Sequence, residues 1–273
     1  MYGFPALKNC SGGKRLAMAG MRAHEGLVRP EEFTTCKMPL HELDQPRPGE
    51  AQVWYLDLGS LGLSLQHALG GGTDRTGQQR LTLGQLKFAR RFYLKLLLGA
   101  YLGIPGKSVK INHSKRGKPS LDESEHQSDL HFSIAKSGNR VLIGFSCTAM
   151  LGVDLEPIGR RAHDPLGVAQ RYFSAIEARD LELTGPDRLD EAFLRVWACK
   201  ESVVKASGLG IANQFSCFTV ETNPDKPPAI LEFEQEDPAQ WSLSMLQPDD
   251  GFMGAVALHH PRMEVSAFTL IPS

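Results

Sequence analysis

Residues 188–207 read RLDEAFLRVWACKESVVKAS, and the fold is decided by how this stretch is understood. It contains no proline and is rich in good helix formers, which predicts a helix of about five turns. At about 100° per residue, Leu189, Phe193, Val196, Val203 and Val204 fall on one stripe that should face a core. Lys200 lies in the middle of that stripe, and a lysine is rarely buried without a partner. Glu201 and Lys205 sit together on its flank, with Trp197 one turn before Glu201. One account is a core helix with a carboxylate and two ammonium groups at its buried edge. The other is an exposed Glu–Lys pair beside a lysine whose stem alone is covered.

The chain around this helix has 273 residues, enough for one large domain or two of ordinary size. At 41% hydrophobic and 22% charged it has the composition of a soluble globular protein. A net charge of −1 provides no global field to attract nucleic acid or an anionic membrane, so any basic surface must be local. No apolar run approaches the roughly 18 residues that span a bilayer. The longest candidate, residues 92–104, is interrupted by Lys95. The N-terminus lacks the apolar region of a secretory signal. Cys10, Cys36, Cys147, Cys199 and Cys217 are widely spaced with no CxxC pair, which suggests neither a zinc site nor a disulfide framework. Reduced thiols point to a cytoplasmic protein, with Cys199 as a packing residue.

Taken in order, residues 1–48 carry glycine, proline and scattered charge without periodicity and read as a loosely ordered extension. QVWYLDL, from Gln52, reads as a strand. Residues 70–80 read as a glycine-rich loop, and a long helix follows from about Leu83 to Leu102. Three short strands are expected in VKINHS, LHFSIA and RVLIGFS. A second unit opens with the strand MLGVDLE, residues 150–156. Ser174 and Glu177 form a capping-box pattern that starts a helix. After the central helix come a GLG turn at 208–210 and strand-like segments at FSCFTVE, AILEFE, WSLSML, FMGAVALHH and EVSAFTL. Each half is an opening strand, a long helix and a β-meander. The expected fold is therefore α+β, with two tandem subdomains at 49–148 and 149–273.

Three motifs carry chemistry. In GVDLE, Val153 and Leu155 point one way along the strand, and Asp154 and Glu156 the other. Side-by-side carboxylates repel unless a cation or proton lies between them. Oxygen ligands two residues apart suit Mg²⁺, although a solvated strand face would read the same. In RGKPS, glycine permits close backbone approach, proline stiffens the exit, and Lys118 offers a point charge for phosphate; a plain surface turn is the alternative. Lys136, at a strand end, could likewise meet a phosphate. Together these elements would equip one site for chemistry at a pyrophosphate.

The paired motifs Gly152-Val153-Asp154-Leu155-Glu156 and Trp197-Ala198-Cys199-Lys200-Glu201 through Lys205, with Gly117-Lys118-Pro119 upstream, resemble the Sfp-type 4′-phosphopantetheinyl transferases. The resemblance covers roughly residues 50–222. It implies two pseudo-symmetric α+β halves with coenzyme A in the cleft between them. It also implies transfer of phosphopantetheine to a serine of an apo acyl or peptidyl carrier protein, with release of 3′,5′-ADP. By this resemblance Asp154, Glu156 and Glu201 hold Mg²⁺, and Glu201 and Lys205 are catalytic. Arg91, Gly117, Lys118, Pro119, Lys136 and Lys200 would bind coenzyme A, with Lys200 paired to a carboxylate or phosphate at the cleft. One departure stands out: Ala135-Lys136 replaces the family's Ser-His inside Phe132–Ser137. Lysine keeps a donor and a full charge at pH 7, so binding should survive with weaker pH dependence. Arg160, Arg161 or Arg171 could help dock an acidic carrier. A chain supplying both halves of its cleft implies a monomer. Rival expectations are a metal-dependent nuclease and a non-catalytic carrier-binding relative.

Overall fold

The computed structural model describes residues 26–62, 81–115, 117–208 and 215–272. The expected loop at 70–80 and most of the GLG turn lie outside them. Two sheets form the framework. The first has the order β2-β13-β3-β7-β6, where β2 is Thr34–Lys37, β3 Glu50–Asp57, β6 Leu130–Ser137, β7 Arg140–Cys147 and β13 Glu264–Ile271. The second has the order β1-β11-β12-β8, with β1 Leu27–Val28, β8 Leu151–Pro157, β11 Ser242–Asp249 and β12 Phe252–Leu258. Two small hairpins complete the sheets: β4 (Ile111–His113) with β5 (Pro119–Leu121), and β9 (Phe218–Val220) with β10 (Ile230–Phe233).

Helix α1, Leu83–Leu102, begins at the capping box of Thr82 and Gln85 and stops at Gly103, which takes the left-handed conformation at φ 64°. Its buried face, including Tyr93, Leu97, Leu98 and Tyr101, packs on Trp54, Leu56, Ile143 and Phe145 of the first sheet. Helix α2, Pro165–Tyr172, was not apparent from periodicity, although Asp164 as N-cap before Pro165 is a start signal. Helix α3, Ala175–Glu182, starts at the Ser174–Glu177 capping box as expected. Helix α4, Pro186–Ser207, contains the opening stretch. Phe193, Val196, Val203 and Val204 are buried and Leu189 packs against the same core. The covered face is wider than the stripe: Ala192, Leu194, Ala198, Cys199 and Ala206 are buried too. α4 packs on β8 and β12, and its apolar residues share a core with Phe173, Phe215 and Phe218.

The architecture is α+β, but its parts are not contiguous in the chain. Residues 26–48, expected as a loose extension, belong to the fold. β1 pairs in parallel with β11, and β2 in parallel with β13. The last strand, β13, crosses back into the first sheet between β2 and β3. Each of these ladders joins segments about 200 residues apart, and such pairing leaves no local period in a two- or four-residue strand.

α4 approaches β8 most closely at Gly152. A Cβ built there would lie 1.9 Å from the Ser202 carbonyl oxygen and 2.5 Å from the Ala206 nitrogen. Neither backbone atom can rotate away, so the helix itself would have to shift. Gly152→Ala should therefore destabilise by at least the ~1–3 kcal/mol typical of overpacking. It should also lower activity, because Lys205 rides on the displaced turn. Thermal melting together with turnover checks both; an unchanged Tm would remove the close-approach argument.

Candidate active site

The contact at Gly152 sets Asp154 against the last turns of α4. Lys205 Nζ lies 2.6 Å from Asp154 Oδ1 and 3.8 Å from Glu201 Oε2. Asp154 Oδ2 is buried and has no hydrogen-bond partner. On β8, Val153 and Leu155 face the core between the sheets, so Asp154 and Glu156 share the opposite face as alternation demands. Glu156 Oε2 accepts from Arg160 Nη1 at 2.6 Å.

The electrostatics follow from this crowding. Burial raises the Asp154 carboxyl, with Lys205 opposing. Burial and the Asp154 charge raise Glu156, with Arg160 opposing. Burial pushes Glu201 up to about 7; Asp154 and Glu156 add to this, and Lys205 offsets part of it. Three carboxylates thus disfavour one another's ionisation, relieved by one ammonium and one guanidinium.

As the side chains stand, no group of three His, Cys, Asp or Glu among the described residues is gathered closely enough to hold a metal ion. The donor set nevertheless fits a hard divalent cation. All three groups supply oxygen, they repel one another, and one buried oxygen lacks a partner.

The GKP turn reaches the same helix. Gly117 holds φ 84°, in the left-handed region, and the turn is closed by Gly117 N to Ser114 O and Lys118 N to Ser114 Oγ. Pro119 then opens β5. Lys118 Nζ donates to the Ala206 carbonyl oxygen at 2.9 Å, where a cation meets the negative end of α4. Burial lowers its pKa. His131 on β6 carries a pKa lowered by burial first and by the Lys118 charge second. Sequence reasoning passed over His131 because nothing in LHFSIA distinguishes it from a solvated strand residue.

Lys136 is exposed near the end of β6. Ser133 Oγ accepts from Val153 N at 3.2 Å, and three residues onward from each lie Lys136 and Glu156. Arg91 lines a separate apolar pocket of about 300 Å³ with Phe88, Phe92, Lys95, Leu96 and Lys107, and none of the other expected site residues lines it. Lys200 is the correction. It is fully buried, 2.9 Å from Glu177 Oε2, and donates to the carbonyl oxygens of Phe215 and Phe218 at 2.5 and 2.6 Å. The Phe218 ring lies 4.1 Å from its ammonium. Lys200 does have a carboxylate partner, but it sits in the core and not at a cleft.

Acidic groups beside a lysine, with further cations nearby, are the groups that transfer chemistry on a phosphorylated substrate requires. Residues 150–257 match the model of the 4′-phosphopantetheinyl transferase superfamily. The 4′-phosphopantetheinyl transferase HetI of Nostoc sp. is 35% identical over 170 residues, covering 62% of this chain and 69% of that protein. The 4′-phosphopantetheinyl transferase Sfp of Bacillus subtilis is 28% identical over 156 residues, covering 56% and 64%. The human L-aminoadipate-semialdehyde dehydrogenase-phosphopantetheinyl transferase is 23% identical over 207 residues, 67% of each chain. The chain belongs to the 4′-phosphopantetheinyl transferase superfamily, enzymes that move phosphopantetheine from coenzyme A to carrier proteins.

Proposed function

We propose that this enzyme transfers the 4′-phosphopantetheine group to a serine hydroxyl of an apo acyl or peptidyl carrier protein and releases 3′,5′-ADP. Asp154, Glu156 and Glu201 would hold Mg²⁺, which when bound supplies positive charge to the diphosphate. The observation that carries the reading is the cluster of buried Asp154 and Glu201 with half-buried Lys205 at the contact of α4 with β8. Glu201, beside Lys205 on α4, takes the serine proton. The serine oxygen forms a bond to the phosphorus bearing pantetheine, and the bond from that phosphorus to the bridging oxygen of 3′,5′-ADP breaks. Lys205 faces the phosphate oxygens as charge develops on them. Lys118 and Lys136 hold phosphates of coenzyme A, and Arg91 contributes through the nucleotide.

No helix among the described residues is long and apolar enough to cross a membrane. Cys36, Cys147 and Cys199 stand as thiols, which supports a cytoplasmic setting.

The test is incubation with coenzyme A, MgCl₂ and several apo carrier proteins, followed by mass measurement. The expected result is a carrier heavier by one phosphopantetheine group; no gain on any carrier would overturn the reading. The metal has its own test. MgCl₂ at 100 times its Kd should stabilise metal-free protein by about 2.7 kcal/mol, seen as a higher Tm. Asp154→Asn/Glu201→Gln protein should show no such rise. An equal rise in both would place the ion elsewhere.

A further inference from the structure

A polar cluster outside this site joins the two sheets. Tyr55 of β3 donates its hydroxyl to Asp249 Oδ2 at the end of β11. Arg140, at the start of β7, lies 2.5 Å from Asp57 Oδ1 and 3.7 Å from Asp249 Oδ2. Its guanidinium stands 5.7 Å from the ring centre of Phe252, the first residue of β12. The cluster therefore ties β3 and β7 of the first sheet to β11 and β12 of the second. Burial and the Asp249 carboxylate keep the Tyr55 phenol protonated and donating.

The register shows what lies beside it. Arg140 is the cross-strand partner of both Asp57 and Ser137, and Lys136 pairs with Val141. Asp249 pairs with Phe252, Phe252 with Pro157, and Met253 with Glu156. One arm of the cluster thus grips the β6–β7 hairpin next to Lys136. The other grips the end of β8 next to Glu156. Arg140 Nε is buried without a hydrogen bond and lies 3.7 Å from Asp249 Oδ2, so its tie to Asp249 is electrostatic.

We propose that Tyr55, Arg140 and Asp249 form a clasp that positions the phosphate-binding lysine of one half relative to the metal-binding carboxylate of the other. These are positioning residues; the clasp sets the span across which coenzyme A is held. The inference rests on the proposed roles of Lys136 and Glu156. A clasp of this kind acts on substrate binding more than on the chemical step, because Glu201 and Lys205 are placed by α4 and not by the clasp.

The test is Asp249→Asn, which keeps the shape and removes the charge. The Kd for coenzyme A, measured by titration calorimetry, and its KM should both rise about tenfold, with kcat within about threefold of wild type. Asp249→Glu should restore part of the affinity. Tyr55→Phe, which removes one oxygen and no charge, should raise both constants about threefold, and it carries the test if Asp249→Asn does not fold. Unchanged Kd and KM in folded variants, even with a lower Tm, would make the cluster a structural tie only and overturn the proposal. Binding of coenzyme A by the wild type is a separate control: its failure would count against the functional reading, and its success leaves the clasp to be judged on the variants.

Discussion

Glu201→Gln should lower turnover about 100- to 10,000-fold, the range lost when a positioned general base is removed. The fold should survive, because Glu201 lies against Lys205 at 3.8 Å without a hydrogen bond to it. Stability should respond in the opposite direction to activity. In metal-free protein the Glu201 carboxyl is raised to about 7, well above its unfolded value. A carboxyl raised on folding adds no penalty below its unfolded pKa. As pH climbs toward 7 the unfolded chain releases the proton and the folded chain retains it, so stability falls. Wild-type metal-free protein should therefore lose stability between about pH 5 and pH 8, on the order of 2 kcal/mol from this group. The glutamine variant should lack that loss and melt higher at pH 8. Near-normal turnover in Glu201→Gln would refute the base assignment, and identical pH–Tm curves would refute the electrostatic account.

Lys200→Met should produce the largest loss of stability, with little effect on substrate binding. Lys200 and Glu177 are both fully buried. Burial lowers the lysine pKa and raises that of the glutamate, while their mutual attraction works against both changes. Removing the ammonium leaves Glu177 uncompensated in the core and two carbonyl oxygens without their donor. Breaking such a pair costs about 3–5 kcal/mol. Glu177 still accepts from the backbone nitrogens of Ser174 and Val220, so it cannot simply turn away. The double variant Lys200→Met/Glu177→Gln should lose less than the sum of the two single changes. At temperatures where Lys200→Met is folded, its KM for coenzyme A should match wild type. A tenfold higher KM at unchanged Tm would return Lys200 to the substrate site.

These two neighbours on one helix show how far the sequence could be read. Both were marked by the same pattern, charged groups at the edge of an apolar stripe. Helical period places Lys200 among Phe193, Val196, Val203 and Val204, and it is buried there. The period does not say that Glu177, 23 residues earlier, reaches it. The capping box already explained Glu177, so its second role as counter-ion carried no separate signal. Arg160 read in the sequence as a residue that could help dock an acidic carrier, and nothing local signalled that it also pairs with Glu156.

The sequence alone determined the two long helices, most of the strands and the family. Apolar period placed both long helices, a capping box placed the short one at Ser174, and strand alternation put Asp154 and Glu156 on one face. The order and spacing of GVDLE and WACKESVVK marked a phosphopantetheinyl transferase. These are local properties, written in residues a few positions apart. Only the tertiary structure decided that residues 26–48 and the last strand exchange between sheets, that Gly152 admits the helix, that Lys200 belongs to the core, and that Asp249 reaches Tyr55. Each depends on a partner distant in sequence. Such a contact forms through packing and charge in three dimensions, and it leaves no period in the chain.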